Sequence, residues 1–116
     1  MHDLPADLNI DDIIGSVIYQ IRIGRHDVQF HFDSGRHISS QDKISVMRDD
    51  ELIASWDENS GWSSTEFFLL LNSSIDCYIV QPRQLTIQME SGVAVHLHVL
   101  SHQYESMQIY PEGYIF

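Results

Sequence analysis

Two of the seven histidines in this chain stand two residues apart in an alternating run. His96 and His98 alternate with Val95, Leu97 and Val99, so on a β-strand both imidazoles point to the same face. Imidazole is a common ligand of zinc and iron, but a metal site on this face needs a third protein ligand. The chemistry of the pair therefore depends on whether a third ligand lies nearby.

Only His102 and Glu105, which follow His98, are near enough in sequence to be candidates for that ligand, while His31 stands in the equivalent pair of alternating runs earlier in the chain. A His-x-His pair on a strand resembles the metal site of cupins. Cupins place a glutamate shortly after the pair, whereas Glu105 lies seven residues beyond His98. We therefore predict no metal site and interpret His31, His96 and His98 as polar side chains on the solvent face of a half-buried sheet. The alternative is that these three histidines bind a metal.

No nucleophile stands in a catalytic setting. A nucleophilic cysteine needs a neighbouring base that favours its thiolate. Cys77 stands between Asp76 and Tyr78 in an alternating run, so we interpret it as a structural residue. The chain also lacks the Gly-x-Ser-x-Gly elbow of serine hydrolases and any glycine-rich phosphate loop. We therefore predict no catalytic residue, no cofactor and no enzymatic activity.

Carboxylates and tryptophans are interleaved in one segment that interrupts the alternating runs. Indoles anchor protein interfaces, and acidic groups select and attract a basic partner. We predict that this segment binds a protein partner through Asp49, Asp50, Glu51, Trp56, Asp57, Glu58 and Trp62. The alternative is that the two tryptophans are core residues beneath a solvated loop.

The charge of the chain narrows the class of partner. Seventeen acidic and six basic residues give a formal net charge of −11. Such a surface repels phosphate backbones and anionic lipids, so we predict no nucleic-acid and no membrane partner and favour a basic protein. The alternative is that the acidity serves solubility alone.

Length and composition indicate one domain. The 116 residues are 43% hydrophobic, and no run approaches the ~18 apolar residues of a membrane-spanning helix. The N-terminal residues lack the charged and apolar regions of a secretory signal. The single cysteine cannot form an internal disulfide, so we predict a cytoplasmic protein.

The alternating runs occur twice, 57 positions apart. Apolar residues coincide at the positions expected to face the core: Ile18 with Ile75, Ile21 with Tyr78, Ile23 with Val80, Val28 with Leu85, Phe30 with Ile87, Phe32 with Met89, and Ile38 with Val95. Both copies turn at a Ser-Gly pair that ends in Gly35 and Gly92. The repeat predicts a single domain over 1–116, with a first copy at about 17–46, an inserted loop and helix at 47–74, and a second copy at about 75–110.

These patterns predict a mainly β fold, an internally duplicated antiparallel β-sandwich or barrel-like sheet with one short helix. Ser63-Ser64-Thr65-Glu66 has the Ser-x-x-Glu spacing of a capping box, which predicts a helix of about two turns with Ser63 as its N-cap. We expect one core cluster that excludes His96 and His98. Its members are Ile21, Ile23, Val28, Phe30, Phe32, Phe67, Leu71, Leu85, Ile87, Val95 and Leu97.

In its size, its acidity, its lack of catalytic motifs and its twofold Phe/Met-Asp/Glu-Ser-Gly hairpin, the chain resembles small acidic immunity proteins of bacterial contact-dependent inhibition and related polymorphic toxin systems. The resemblance spans residues 17–110 as a pattern. It implies binding to a cognate toxin domain, often a basic nuclease, whose active site is blocked. The alternative is a small β-domain that acts as an accessory or ligand-binding module and can pair as a homodimer through an exposed edge strand.

Overall fold

The computed structural model describes residues 3–100 and 106–116 and consists of two antiparallel sheets with a shared core. The first sheet has the strand order β1-β2-β3-β10-β11, and the second has the order β6-β5-β4-β9-β8-β7. The strands are β1 (Ile18–Ile23), β2 (Val28–Phe32), β3 (His37–Ser40), β4 (Ile44–Arg48), β5 (Glu51–Asp57), β6 (Gly61–Trp62), β7 (Ile75–Gln81), β8 (Gln84–Met89), β9 (Val93–His98), β10 (Met107–Tyr110) and β11 (Tyr114–Ile115). The prediction of a mainly β antiparallel sandwich is confirmed.

The two copies of the repeat form equivalent three-stranded meanders. In β2–β3, Phe30 pairs with Ile38, and in β8–β9 Ile87 pairs with Val95, so both partners are displaced by the same 57 positions. Each of these four side chains is buried in the core. The alternation of apolar and polar residues therefore places the same face of both meanders inward.

The duplication extends to irregular features. The pairing of β1 with β2 shifts between Ile18 and Gln20, and that of β7 with β8 shifts between Ile75 and Cys77, so the two edge strands carry bulges at equivalent positions. The matching turns end in Gly35 and Gly92, with φ of 97° and 92°. Because side chains disfavour this left-handed region, glycine suits both turns. The two copies therefore match in strand pairing, bulges and turns over residues 18–40 and 75–97.

The fourth strand of each copy crosses to the sheet of the other copy. β4 pairs with β9, where Val46 lies opposite Val95, and β10 pairs with β3, where Ile109 lies opposite Ile38. β5 then pairs with β4 as β11 pairs with β10, so β5 is the counterpart of β11 and the copied unit extends past residue 46. Each sheet thus contains strands of both copies, and the copies share one hydrophobic core.

The predicted helix is present, but its capping residue was predicted wrongly. A 3-10 helix spans Thr65–Leu70 and begins after Ser64, whose hydroxyl accepts a hydrogen bond from the Glu66 N–H at 3.3 Å. Ser63 is unavailable because its backbone N–H and side-chain Oγ bind the backbone of Ser55 in β5. Pairing with the edge of the second sheet therefore shifts the start of the helix by one residue.

The predicted core is largely confirmed, with one error. Seven of its members are buried: Val28, Phe30, Phe32, Leu85, Ile87, Val95 and Leu97. Ile21, Phe67 and Leu71 are half-buried and pack against them. Ile23 is 55% exposed because it ends β1 at the edge of the first sheet. The alternating pattern predicts which face of the sheet a side chain lies on. It does not predict that a side chain at the edge of the sheet stays exposed because no neighbouring strand covers it.

Candidate partner-binding surface

The acidic residues predicted to bind a partner lie at the two ends of β5. Asp49 and Asp50 form the two-residue turn between β4 and β5, with φ of 50° and 65°. Positive φ at both turn residues matches the twist of a two-stranded hairpin, and aspartate tolerates it better than most side chains. Glu51 begins β5 opposite Arg48.

Asp57 and Glu58 lie at the other end of β5. The Asp57 carboxylate accepts hydrogen bonds from the backbone N–H groups of Asn59 and Ser60 at 2.9 and 2.8 Å, which shapes the turn to β6. Glu58 Oε1 is 2.7 Å from Nδ1 of His26. β5 runs from residue 51 to residue 57, and an extended strand of that length separates its ends by roughly 20 Å. The structure therefore does not bring the seven predicted residues together.

The tryptophans are not exposed at the acidic hairpin. Trp56 is 3% exposed and belongs to the core, as the alternative interpretation proposed. Trp62, opposite Trp56 in β6, is half-buried and stacks on Phe67 with ring centroids 4.5 Å apart. In the described ranges, its indole Nε1 is buried and has no acceptor. Trp56 is thus excluded as a surface anchor, and Trp62 mainly secures the 3-10 helix.

The hairpin carboxylates instead join a third carboxylate around a cavity of about 340 Å³. This cavity opens on the outer face of the second sheet, which β4, β8 and β9 present to solvent. We call it the acidic hollow and define it by the floor residues Met47, Gln88 and Ala94 and the carboxylates Asp49, Asp50 and Asp76. Asp49 Oδ1 lies 3.5 Å from where a Cβ on Gly92 would be, which places the hairpin beside the β8–β9 turn.

Asp76 was not predicted as a site residue. It is exposed at the bulge of β7, where the shift in register separates it from the regular alternation of the strand. The repeat contained a signal for Asp76. At the equivalent bulge of β1 the first copy has Tyr19, so the second copy carries a carboxylate where the first carries an aromatic ring. Asp49 and Asp50 are 26 or more residues away in sequence, and only the β4–β9–β8–β7 order of the sheet brings them near Asp76.

The histidines of interest do not converge. His96 and His98 lie on the outer face of the second sheet, whereas His31 lies on β2 in the first sheet. His98 Nε2 is 3.1 Å from the Ser45 hydroxyl, and burial, with smaller effects of nearby charges, lowers the pKa of this imidazole. Burial also lowers the pKa of His96, whose Nδ1 is 3.1 Å from the Thr86 hydroxyl.

Metal-binding side chains do not form a cluster in residues 3–100 and 106–116, where no group of three or more His, Cys, Asp or Glu is arranged to hold an ion. The other proposed ligands, His102 and Glu105, lie outside the described residues. The Cys77 thiol donates a hydrogen bond to Gln88 Oε1 at 3.1 Å, which fixes the side-chain amide at the floor of the acidic hollow.

Comparison with protein-family models, curated proteins and solved structures found no match. The helices in the described part of the chain are too short to span a bilayer. The geometry and charge of the acidic hollow are therefore the features of the described residues that bear on function.

Proposed function

We propose that this protein is an immunity-type inhibitor, which binds a basic toxin domain and blocks its active site. The observation that supports the proposal is the acidic hollow, an open cavity with three carboxylates and no lysine or arginine among its described lining residues. Asp49, Asp50 and Asp76 make no ion pair within the described ranges, so their charges are available to a partner.

The net charge acts at a longer range than the hollow. A chain of charge −11 attracts a basic domain before contact, which raises the association rate. The hollow then supplies the short-range contacts, because its three exposed carboxylates can accept charge-assisted hydrogen bonds from basic side chains of the partner. An inhibitor of this kind acts by binding its partner and needs no catalytic residue of its own.

A growth assay tests the proposal. The reading frames adjacent to this gene are expressed singly in a bacterial host, and any that arrests growth is expressed again with the wild-type chain. We expect relief of the arrest by the wild type, and its loss in the triple variant Asp49→Asn, Asp50→Asn, Asp76→Asn. Asparagine suits the positive φ of residues 49 and 50, so this variant removes charge with little backbone strain.

The matched control removes the same charge elsewhere. The variant Asp7→Asn, Glu58→Gln, Glu66→Gln changes three carboxylates that lie outside the hollow. The proposal is supported if the control variant relieves the growth arrest fully and the hollow variant does not. Equal relief by both variants, or no arrest that the wild type relieves, overturns it.

The edge strands favour a second candidate, the accessory or ligand-binding module. Ile79 on β7 is 45% exposed, and β7 is an edge strand of the second sheet. Exposed apolar edges permit strand pairing between copies. A dimer in sedimentation equilibrium that Ile79→Lys dissociates would favour this candidate over the inhibitor.

A further inference from the structure

The outer faces of the two sheets differ at one equivalent row of residues. In the first sheet, His37 is stacked between two rings, His31 at 4.7 Å and Tyr110 at 4.4 Å between centroids. The interplanar angles are 15° and 16°, so the three rings are nearly parallel. The Tyr19 ring packs edge-on against His31 and extends the row to β1. Every position of this row is filled by a ring.

The equivalent row of the second sheet has no ring. Gln88 stands in place of His31, Ala94 in place of His37, and Met47 lies opposite Ala94 as Tyr110 lies opposite His37. Adjacent strands are about 4.8 Å apart, so Gln88 and Met47 flank Ala94 across two spacings, or about 10 Å. Ala94 fills little of that width, and this gap is part of the 340 Å³ acidic hollow. The space above Ala94 is therefore the size that one stacked ring occupies in the first sheet.

The charge around the gap decides which planar group suits it. Asp76 replaces Tyr19 at the β7 end of the row, and Asp49 and Asp50 of the β4–β5 turn also line the acidic hollow. A neutral ring would form no ion pair with these carboxylates, and an anion would be repelled by them. A guanidinium is planar, permanently charged and able to bind carboxylates through two parallel hydrogen bonds. A lysine ammonium has the charge but neither the planar shape nor the paired donors.

We propose that the gap above Ala94 binds the guanidinium of a partner arginine, stacked between the Gln88 amide and the Met47 thioether and paired with the surrounding carboxylates. This inference rests on the proposed function, since it names the side chain by which a basic partner is recognised. The internal repeat supplies the template: the guanidinium occupies the place that the His37 ring occupies in the first sheet.

The test uses three blocked tripeptides, Ac-Gly-Arg-Gly-NH₂ and its lysine and citrulline versions, titrated into the full chain and followed by amide chemical shifts. We expect the arginine peptide to bind with a Kd on the order of millimolar, as suits one side-chain contact. It should shift the amides of Met47, Gln88 and Ala94. We expect the lysine peptide to bind at least about threefold more weakly, and the uncharged citrulline peptide not to bind.

The decisive variant is Ala94→His, which places in the second sheet the ring found in the first. We expect it to fold, since the equivalent position already holds His37, and to lose arginine binding at least tenfold, or about 1.4 kcal/mol. The control His37→Ala opens a gap without the carboxylates, and it should keep the arginine affinity of the wild type. Thermal unfolding of both variants establishes that they are folded.

Each outcome of the titrations either supports or overturns the guanidinium site. Preference for arginine that Ala94→His removes supports the inference. Equal binding of arginine and lysine, or arginine binding that survives Ala94→His, overturns the gap as a guanidinium site while leaving the basic-partner proposal to the growth assay. Absence of binding by all three peptides also overturns the inference, and relief of growth arrest would then show a basic partner recognised by other contacts.

Discussion

The guanidinium of Arg36 and the carboxylate of Asp12 lie 2.6 Å apart, Nη2 to Oδ1, although 24 positions separate them in sequence. Arg36 also binds Glu112, with Nη1 2.6 Å from Oε1. The Arg36 side chain is 6% exposed, so both pairs are shielded from solvent on the arginine side. One buried cation thus joins the N-terminal segment, the β2–β3 turn and the β10–β11 turn, and we call Arg36 with its two carboxylate partners the clamp. Its counterpart in the second copy is the apolar Val93.

Replacing Arg36 by Met should therefore destabilise the fold. The change leaves two carboxylates without their partner, and because both are partly solvated we expect a loss of about 1–3 kcal/mol, between the values for exposed and buried pairs. Urea unfolding monitored by tryptophan fluorescence measures it. Arg25→Met, on an exposed loop, is the control and should change stability by less than about 0.5 kcal/mol. Similar stabilities of the two variants would show that the clamp contributes nothing.

The same clamp predicts how stability responds to acid. Hydrogen bonds from Arg36 are the main cause that lowers the pKa of Asp12 from its ordinary 3.8 and that of Glu112 from 4.5. The unfolded chain therefore binds protons first as the pH falls, and the clamp stabilises fully above about pH 4.5 and is lost below it. Unfolding of wild type and Arg36→Met at pH 7, 4.5 and 3 should show their stabilities converging in acid. A constant difference would contradict this.

A second pH effect is expected from the ring row of the first sheet. Burial, with a smaller contribution from the Arg22 charge, lowers the pKa of both His31 and His37 below the ordinary 6.5. Their neutral forms stabilise the fold above pH 6.5, and this contribution is lost as the pH falls from 6.5 through the lowered values. Between pH 8 and 5, the stability of a His31→Gln, His37→Gln variant should fall less than that of the wild type. Parallel pH profiles would exclude the two imidazoles as the cause.

The core prediction can be checked with two phenylalanines. Phe30 is 1% exposed in β2, and Phe68 is 54% exposed on the 3-10 helix Thr65–Leu70. Phe30→Ala removes a buried ring and should cost about 3–5 kcal/mol. Phe68→Ala should cost well under about 1 kcal/mol, because its ring is largely solvated. Comparable costs in chemical unfolding would mean that the inward face of β2 is assigned wrongly.

Much of the fold could be predicted from sequence because alternation and repetition are local signals. The pairing of Phe30 with Ile38 and of Ile87 with Val95 follows from two short hairpins, each with its turn glycine. The exchange of β4 and β10 between copies could not be predicted, because an alternating strand carries no mark of which neighbour it pairs with. That choice depends on long-range packing.

The candidate site was predicted only in part for the same reason. Asp49 and Asp50 were identified by charge, yet the strand exchange that brings β4 beside β9 determines that they line the same hollow as Asp76. Asp57 and Glu58 were grouped with them by sequence proximity, but the extended β5 separates the two groups. Residues that are close in sequence can lie on different parts of the surface when an extended strand separates them.

The last prediction concerns association with the toxin domain that the growth assay identifies. Asp50 lies at the acidic hollow, while Glu58 lies about 20 Å away along β5, more than two screening lengths of ~8 Å at physiological salt. Asp50→Asn should slow association severalfold and flatten its dependence on salt, because it removes charge from the docking surface. Glu58→Gln removes the same charge and should leave both quantities nearly unchanged. Stopped-flow measurements from 50 to 500 mM salt compare the two variants. Equal slowing by both would assign the attraction to the net charge of the chain, and no slowing by either would remove the hairpin from the interface.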